Sequence, residues 1–188
     1  MSEVLTGWEL LRHGGLLLDP PRLREVARYD ASPLDFSTER ELRKRLTALS
    51  DDGGDLGEFI SFFLEQACGF GPSHGRWLRG SAVGAEHGCK ALTGETIKPR
   101  HLWLGPNDAL LPVFIDGEKR LGVGRGRRAV SHTLQWLRAA GHRLALVTNG
   151  RQWRLVFAGL DFDAFCEADN ELFFEEGAPA PQLMALRT

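Results

Sequence analysis

The apolar positions change period along this chain, and the changes mark its elements. Leu42, Leu46 and Leu49 lie on one helical stripe, opened by a capping box at Thr38-Glu39-Arg40-Glu41. Leu56, Phe59, Ile60, Phe63, Leu64 and Ala67 follow helical spacing and form the broad apolar face of a buried helix. Asp55, with Glu58 three residues on, caps its start, and Gly69-Phe70-Gly71-Pro72 stops it. Leu110 to Ile115 is a continuous apolar run of strand length. Asp116-Gly117-Glu118-Lys119 is predicted to turn the chain into a second strand, Arg120 to Val123, as a hairpin. Ala129, Val130, Thr133, Leu134, Trp136, Leu137 and Ala140 restore the helical period, closed by Gly141. Leu144 to Thr148 then reads as a buried strand. Asn149-Gly150 predicts a two-residue type I′ turn, and Trp153 to Phe157 the return strand. Alternation puts Trp153, Leu155 and Phe157 on the core side and Gln152 and Arg154 on the other, with Arg151 and Arg154 as surface cations.

The order helix, strand, strand, helix, strand, strand predicts an α/β fold, a mixed sheet with helices packed on it. Residues 1–54 read as an N-terminal helical extension, in which Leu10, Leu11 and Leu16 to Leu18 are apolar and Pro20-Pro21 breaks the run. Residues 55–177 read as the core, and 178–188, with Ala178-Pro179-Ala180-Pro181, as a tail or linker. Residues 73–107 carry scattered glycine, histidine and polar positions and predict no clear element.

With 188 residues, 43% apolar and 26% charged, the chain is long enough for a sizeable core and needs no disulfide or metal staple. No apolar run approaches the ~18 residues of a membrane span, and no basic segment with an apolar run behind it opens the chain, so neither a membrane nor a secretory leader is expected. Cys68, Cys89 and Cys166 are odd in number and irregularly spaced, which suits a reducing, cytoplasmic setting.

The net charge of −2 hides a strong segregation. Lys119, Arg120, Arg125, Arg127, Arg128, Arg138, Arg143, Arg151 and Arg154 fall in a stretch without one acid. Asp161, Asp163, Glu167, Asp169, Glu171, Glu175 and Glu176 follow without one base. A polyanion-binding face and two blocks that neutralise each other across the fold are both consistent with this pattern.

Other motifs offer chemistry only in fragments. Asp19-Pro20-Pro21-Arg22 has an arginine where an adenine methyltransferase carries a base-stacking aromatic, and no glycine-rich turn for a methyl donor accompanies it. Gly122-Val123-Gly124-Arg125-Gly126-Arg127-Arg128 leads into a helix start but matches no nucleotide-binding fingerprint. A basic loop near a nucleic-acid backbone and a bulged strand are the readings it leaves. Cys68, His74, His87 and Cys89 have no zinc-finger spacing. Asp116, with Glu58, Glu95, Asp108 or Glu118, would suit a magnesium site only if these carboxylates converge.

Several segments together resemble one family. The helix ending Ala67-Cys68-Gly69-Phe70 resembles the helix that opens PD-(D/E)XK nuclease domains. Pro112 to Asp116 resembles their second strand with its metal-binding Asp, and Ser131 to Arg138, with Gln135-Trp136, the helix behind the catalytic strand. Leu146 to Leu155 is similar to the Thr-Asn-Gly-x-x-Trp-x-Leu hairpin in the N-terminal regions of type IIG restriction-modification proteins and of BREX- and DISARM-type phage-defence adenine methyltransferases. The resemblance covers about Asp55 to Gly177. It implies a PD-(D/E)XK-like core, with Asp116 and Gln135 as the catalytic positions. The family's Glu-x-Lys is missing from Leu121 to Arg127, where Arg125 or Arg127 stands in the place of lysine. The implied function is therefore a non-catalytic domain contacting DNA through Arg120, Arg125, Arg127, Arg128, Arg151 and Arg154, with no cofactor. Two alternatives remain: an active magnesium-dependent endonuclease with a migrated carboxylate, and a scaffold docking a methyltransferase or another restriction or defence subunit.

Overall fold

The computed structural model describes residues 7–15, 17, 33–51, 53–175 and 177–187. Asp19-Pro20-Pro21-Arg22, Leu16 and Leu18 lie outside them. Two compact units share the chain: residues 1–12, 18–71 and 168–188 form the first, and 13–17 and 72–167 the second.

In chain order the strands are β1 (Arg12–Gly14), β2 (Arg76–Arg79), β3 (Cys89–Lys90), β4 (Thr96–Ile97), β5 (His101–Leu104), β6 (Leu110–Ile115), β7 (Leu144–Thr148), β8 (Gln152–Ala158), β9 (Asp163–Asp169), β10 (Phe174–Glu175) and β11 (Ala178–Pro179). The helices are α1 (Phe36–Ser50), α2 (Leu56–Phe62), α3 (Arg127–Ala140) and α4 (Pro181–Ala185).

In the first unit, α1 begins two residues before the predicted box. Asp35 is its N-cap, accepting from Thr38 N at 2.9 Å, so the cap is an Asp rather than Thr38. Asp55 caps α2 as expected, accepting from Glu58 N at 2.8 Å. The helix then widens into a π-helical turn, Phe63–Ala67, which buries Phe63, Leu64 and Ala67 together. Phe63 stacks on Phe173 at 5.2 Å, and the residues read as a tail fold back here. Gln182 donates to Leu10 O at 2.9 Å and Arg187 to Ala67 O at 2.7 Å.

The mixed sheet follows the order β1-β9-β8-β7-β6-β5-β2, with β1 and β9 each crossing the boundary between the units. β2, β5 and β6 are antiparallel neighbours. Helix α3 carries the chain from the end of β6 to β7, which runs parallel to β6, and β8 returns antiparallel. The α/β class with a mixed sheet is thus present. Leu110–Ile115 is third in the antiparallel run, where the resemblance aligns it with a second strand.

Two turns differ from expectation. Arg120 to Val123 form no strand, so Leu110–Ile115 has no hairpin partner on that side. The segment is instead a loop closed on itself by Gly122 N to Gly126 O at 3.0 Å, ending in a single turn, Gly124–Gly126. Glycine is needed there. A Cβ on Gly126 would sit 1.9 Å from the Arg120 carbonyl oxygen, and Gly122 has φ +70° against the Arg154 guanidinium. The β7–β8 reversal exists, but Thr148 pairs with Trp153 and three residues, 149–151, lie between the strands. Gly150 has positive φ and Asn149 does not. Asn149 Oδ1 instead accepts from Arg151 N at 3.1 Å and Gln152 N at 2.7 Å, an Asx turn replacing the type I′ turn.

Helix α3 packs Trp136 and Leu137 against Phe114, Ala145, Val147, Val156 and Ala158 of one sheet face, with Leu121 of the loop before the helix in the same cluster. Trp136 meets Phe114 edge-on at 5.6 Å and donates from Nε1 to His87 O at 2.7 Å, tying the small β3–β4 hairpin to the helix. On the opposite sheet face Trp103, Val113, Leu146, Thr148 and Trp153 are all buried, Trp153 at 1% exposure. Trp153 is therefore a core residue, as alternation predicts.

Candidate functional site

Where β6 ends and α3 begins, the chain leaves a cleft of about 690 Å³. Three walls meet there. Thr96, Ile97 and Lys98 come from β4 and the residue after it, Phe114, Ile115, Asp116 and Glu118 from the end of β6 and its turn, and Gly124, Arg125, Arg128, Ala129 and His132 from the loop and first turns of α3. Crevices outside the carboxyl ends of strands are the usual ligand sites of α/β sheets, because connections diverge there.

The acidic wall is held by backbone bonds. Asp116 N donates to Thr148 O at 2.9 Å, continuing the β6–β7 ladder, and Asp116 Oδ1 accepts from Glu118 N at 3.2 Å. Asn149 Nδ2 donates to Glu118 O at 2.9 Å, tying this turn to the β7–β8 turn. Asp116 Oδ2 is buried and finds no hydrogen-bond partner among the described residues. Such an atom calls for a bound water, cation or ligand group.

The basic wall rests on a polar network beneath it. Gln152 Oε1 accepts from Leu121 N at 2.8 Å and its Nε2 donates to Glu167 Oε1 at 2.9 Å. Arg154 donates to Glu167 at 2.6–2.7 Å and to Leu121 O at 3.1 Å. Arg154 is 3% exposed. It is therefore not the surface cation expected: it faces away from Trp153, as alternation says, but the Gly122–Gly126 loop covers that face and encloses it. The network pins the loop that presents Arg125.

Of the other expected contacts, Arg120, Arg125, Arg127, Arg128 and Arg151 are exposed. All belong to the edge of the sheet where β6 and β7 end, as do Lys98 and Lys119. Arg138 and Arg143 belong to the opposite edge, where α3 ends and β7 begins. Arg128 pairs with Glu95, whose other oxygen is 3.1 Å from His132 Nε2. Gln135 does not line the cleft. Its Oε1 accepts from Leu92 N at 3.2 Å and its Nε2 donates to Ser131 Oγ at 3.3 Å, a brace between helix and hairpin. Three members of the acidic block are engaged within the fold: Glu167 on Arg154, Asp163 on Arg138 at the surface, and Asp169 in capping the turn at Asn170.

Of the expected carboxylate partners of Asp116, Glu118 alone lines the cleft with it. Asp108 stands before β6, at the strand's other end, and Glu95 is paired as above. Among the described residues no group of three His, Cys, Asp or Glu is placed to hold a metal ion, so the combination Cys68, His74, His87, Cys89 forms no zinc site. Burial pushes the Cys68 and Cys166 thiols up to about 12, which keeps them protonated and unreactive. Thr96, Lys98 and His132 were not expected at the site. Helical spacing of Arg125, Arg128 and His132 was the available signal for the last, whereas nothing local marks Thr96 or Lys98. No family model, no curated protein and no solved structure matches the chain.

Proposed function

We propose that this chain is a non-catalytic, PD-(D/E)XK-like domain that binds the phosphate backbone of DNA, working in a bacterial restriction-modification or phage-defence system. The observation that carries the proposal is the cleft rim. Lys98, Arg125 and Arg128 line it, and Lys119, Arg120, Arg127 and Arg151 are exposed on the same edge of the sheet. Cations converging on a concave edge suit a polyanion, and arginine suits bidentate phosphate contact. The antiparallel run β2-β5-β6, followed by α3 and the parallel β7, supports the nuclease-like part of the reading with Leu110–Ile115 as the third strand of the run in place of the second.

Duplex binding measured by anisotropy in EDTA tests it. About four phosphate contacts give a slope of log affinity against log salt near −4, at ~0.9 per contact. A flat salt dependence, or no binding at low salt, rejects the proposal. Co-purification that survives nuclease treatment tests for a methyltransferase or other defence subunit as partner.

A second reading, a magnesium-dependent nuclease, is favoured by the buried, unpartnered Oδ2 of Asp116 beside Glu118. Magnesium keeps several waters and takes one or two carboxylates with substrate phosphates. This reading expects cleavage with magnesium or manganese that disappears in Asp116→Asn. Intact duplex after prolonged incubation with either metal excludes it.

A further inference from the structure

We propose that Arg128 and His132 form an anion site on the cleft wall that Glu95 keeps occupied, and that a phosphate of the bound strand takes the place of the Glu95 carboxylate. The inference rests on the DNA-binding reading above and names the residue that governs entry to its site.

Arg128 and His132 fall four residues apart on α3 and share one face of its start, Arg125 stands in the turn just before the helix, and all three line the cleft. Glu95 does not line it. This residue comes from the β3–β4 turn and places one carboxylate oxygen on Arg128 and the other 3.1 Å from His132 Nε2. One carboxylate thus bridges the two groups on that helix face. A phosphate offers the same pair of oxygens with more charge and a better match to the guanidinium fork.

The exchange is cheap. The Arg128 side chain is 68% exposed and Glu95 36%, so their attraction is weak and screened by salt. The turn itself stays anchored through Leu92 N to Gln135, so only the Glu95 side chain has to rotate away. That rotation also breaks the bond that Thr93 Oγ1, in the same turn, donates to Glu95 Oε1 at 2.9 Å. A purely structural ion pair would behave differently: its loss would lower the melting temperature and leave affinity unchanged or reduced.

The test is Glu95→Gln against a short fluorescent duplex. The variant is expected to bind about two- to fivefold tighter at low salt, the range of an exposed pair. Its salt slope should steepen by about one counterion. The gain should vanish in the Glu95→Gln/Arg128→Ala double variant, with melting curves confirming that each protein is folded. Equal or weaker binding by Glu95→Gln, or a gain that persists without Arg128, overturns the inference. Should the unmodified protein bind no duplex, inorganic phosphate titrated into Glu95→Gln decides separately. A shift of the His132 ring resonances that Arg128→Ala abolishes keeps the anion site and rejects only the strand. No shift rejects both.

Discussion

Three buried side chains carry testable consequences at the scale of single residues. Trp153 is 1% exposed, and Trp153→Ala should cost ~3–5 kcal/mol in urea unfolding, since a large cavity opens in the core. Arg154→Ala leaves the Glu167 carboxylate buried and without its cation, and should also cost ~3–5 kcal/mol. The neighbouring exposed Arg151→Ala should stay within ~0.5 kcal/mol. Equal effects of the two arginine changes would contradict the buried network. His101, 7% exposed, has no partner on either ring nitrogen among the described residues. Burial first, then the Arg79 charge, lowers its pKa from 6.5 to about 4. The folded state thus requires the neutral ring, while the unfolded chain takes up a proton at higher pH. Its contribution is complete above pH 6.5 and lost as pH falls toward 4, about 3–4 kcal/mol as an upper bound at ~1.4 kcal/mol per unit. His101→Phe should flatten that part of the pH–stability curve. An unchanged curve would show that other groups govern it. Period-two alternation made Trp153 legible from sequence. The same alternation misplaced Arg154, because it cannot tell a solvent-facing side from one covered by a distant loop.

Among the elements, those with a sustained period were legible and those set by tertiary contact were not. α2, α3, β6, β7 and β8 each follow a run of apolar residues long enough to declare its period. β2 and β5 were missed: Arg76–Arg79 is a short edge strand with charged ends, and His101–Leu104 is only four residues between prolines. The opposite error produced the hairpin at Arg120–Val123. Gly122, Gly124 and Gly126 fit a bulged strand as well as a coiled loop, and the network from Gln152, Arg154 and Glu167 selects the loop. That choice has a direct test. Gly126→Ala places a Cβ within 1.9 Å of a carbonyl oxygen, so the loop must shift and carry Arg125 with it. Reduced stability together with weaker DNA binding is expected, whereas Gly117→Ala, with open space around it, should change neither. Normal binding by folded Gly126→Ala would detach the loop from the site.

For the whole molecule, charge segregation in sequence becomes a sorting of cations by sheet edge. Arg154 and Arg138 neutralise Glu167 and Asp163, as one of the two readings of the charge pattern expects, and other basic residues remain exposed. Composition could register the imbalance but not the sorting, which depends on α3 running from the C-terminal end of β6 to the N-terminal end of β7. Its start, with the turn before it, keeps Arg125 and Arg128 at the cleft, and its end takes Arg138 and the following Arg143 to the far edge. A nonspecific attraction to the net basic stretch would be weakened equally by losing Arg125 or Arg143, since both are exposed and both belong to it. A cleft-directed interface would not. Arg125→Ala should weaken duplex binding and reduce the magnitude of the salt slope by about one, while Arg143→Ala should leave both unchanged. Both substitutions remove an exposed side chain, so melting temperatures should stay close to that of the parent. Equal losses from the two would show diffuse electrostatics in place of a site. A larger loss from Arg143→Ala would move the interface to the edge where β7 begins.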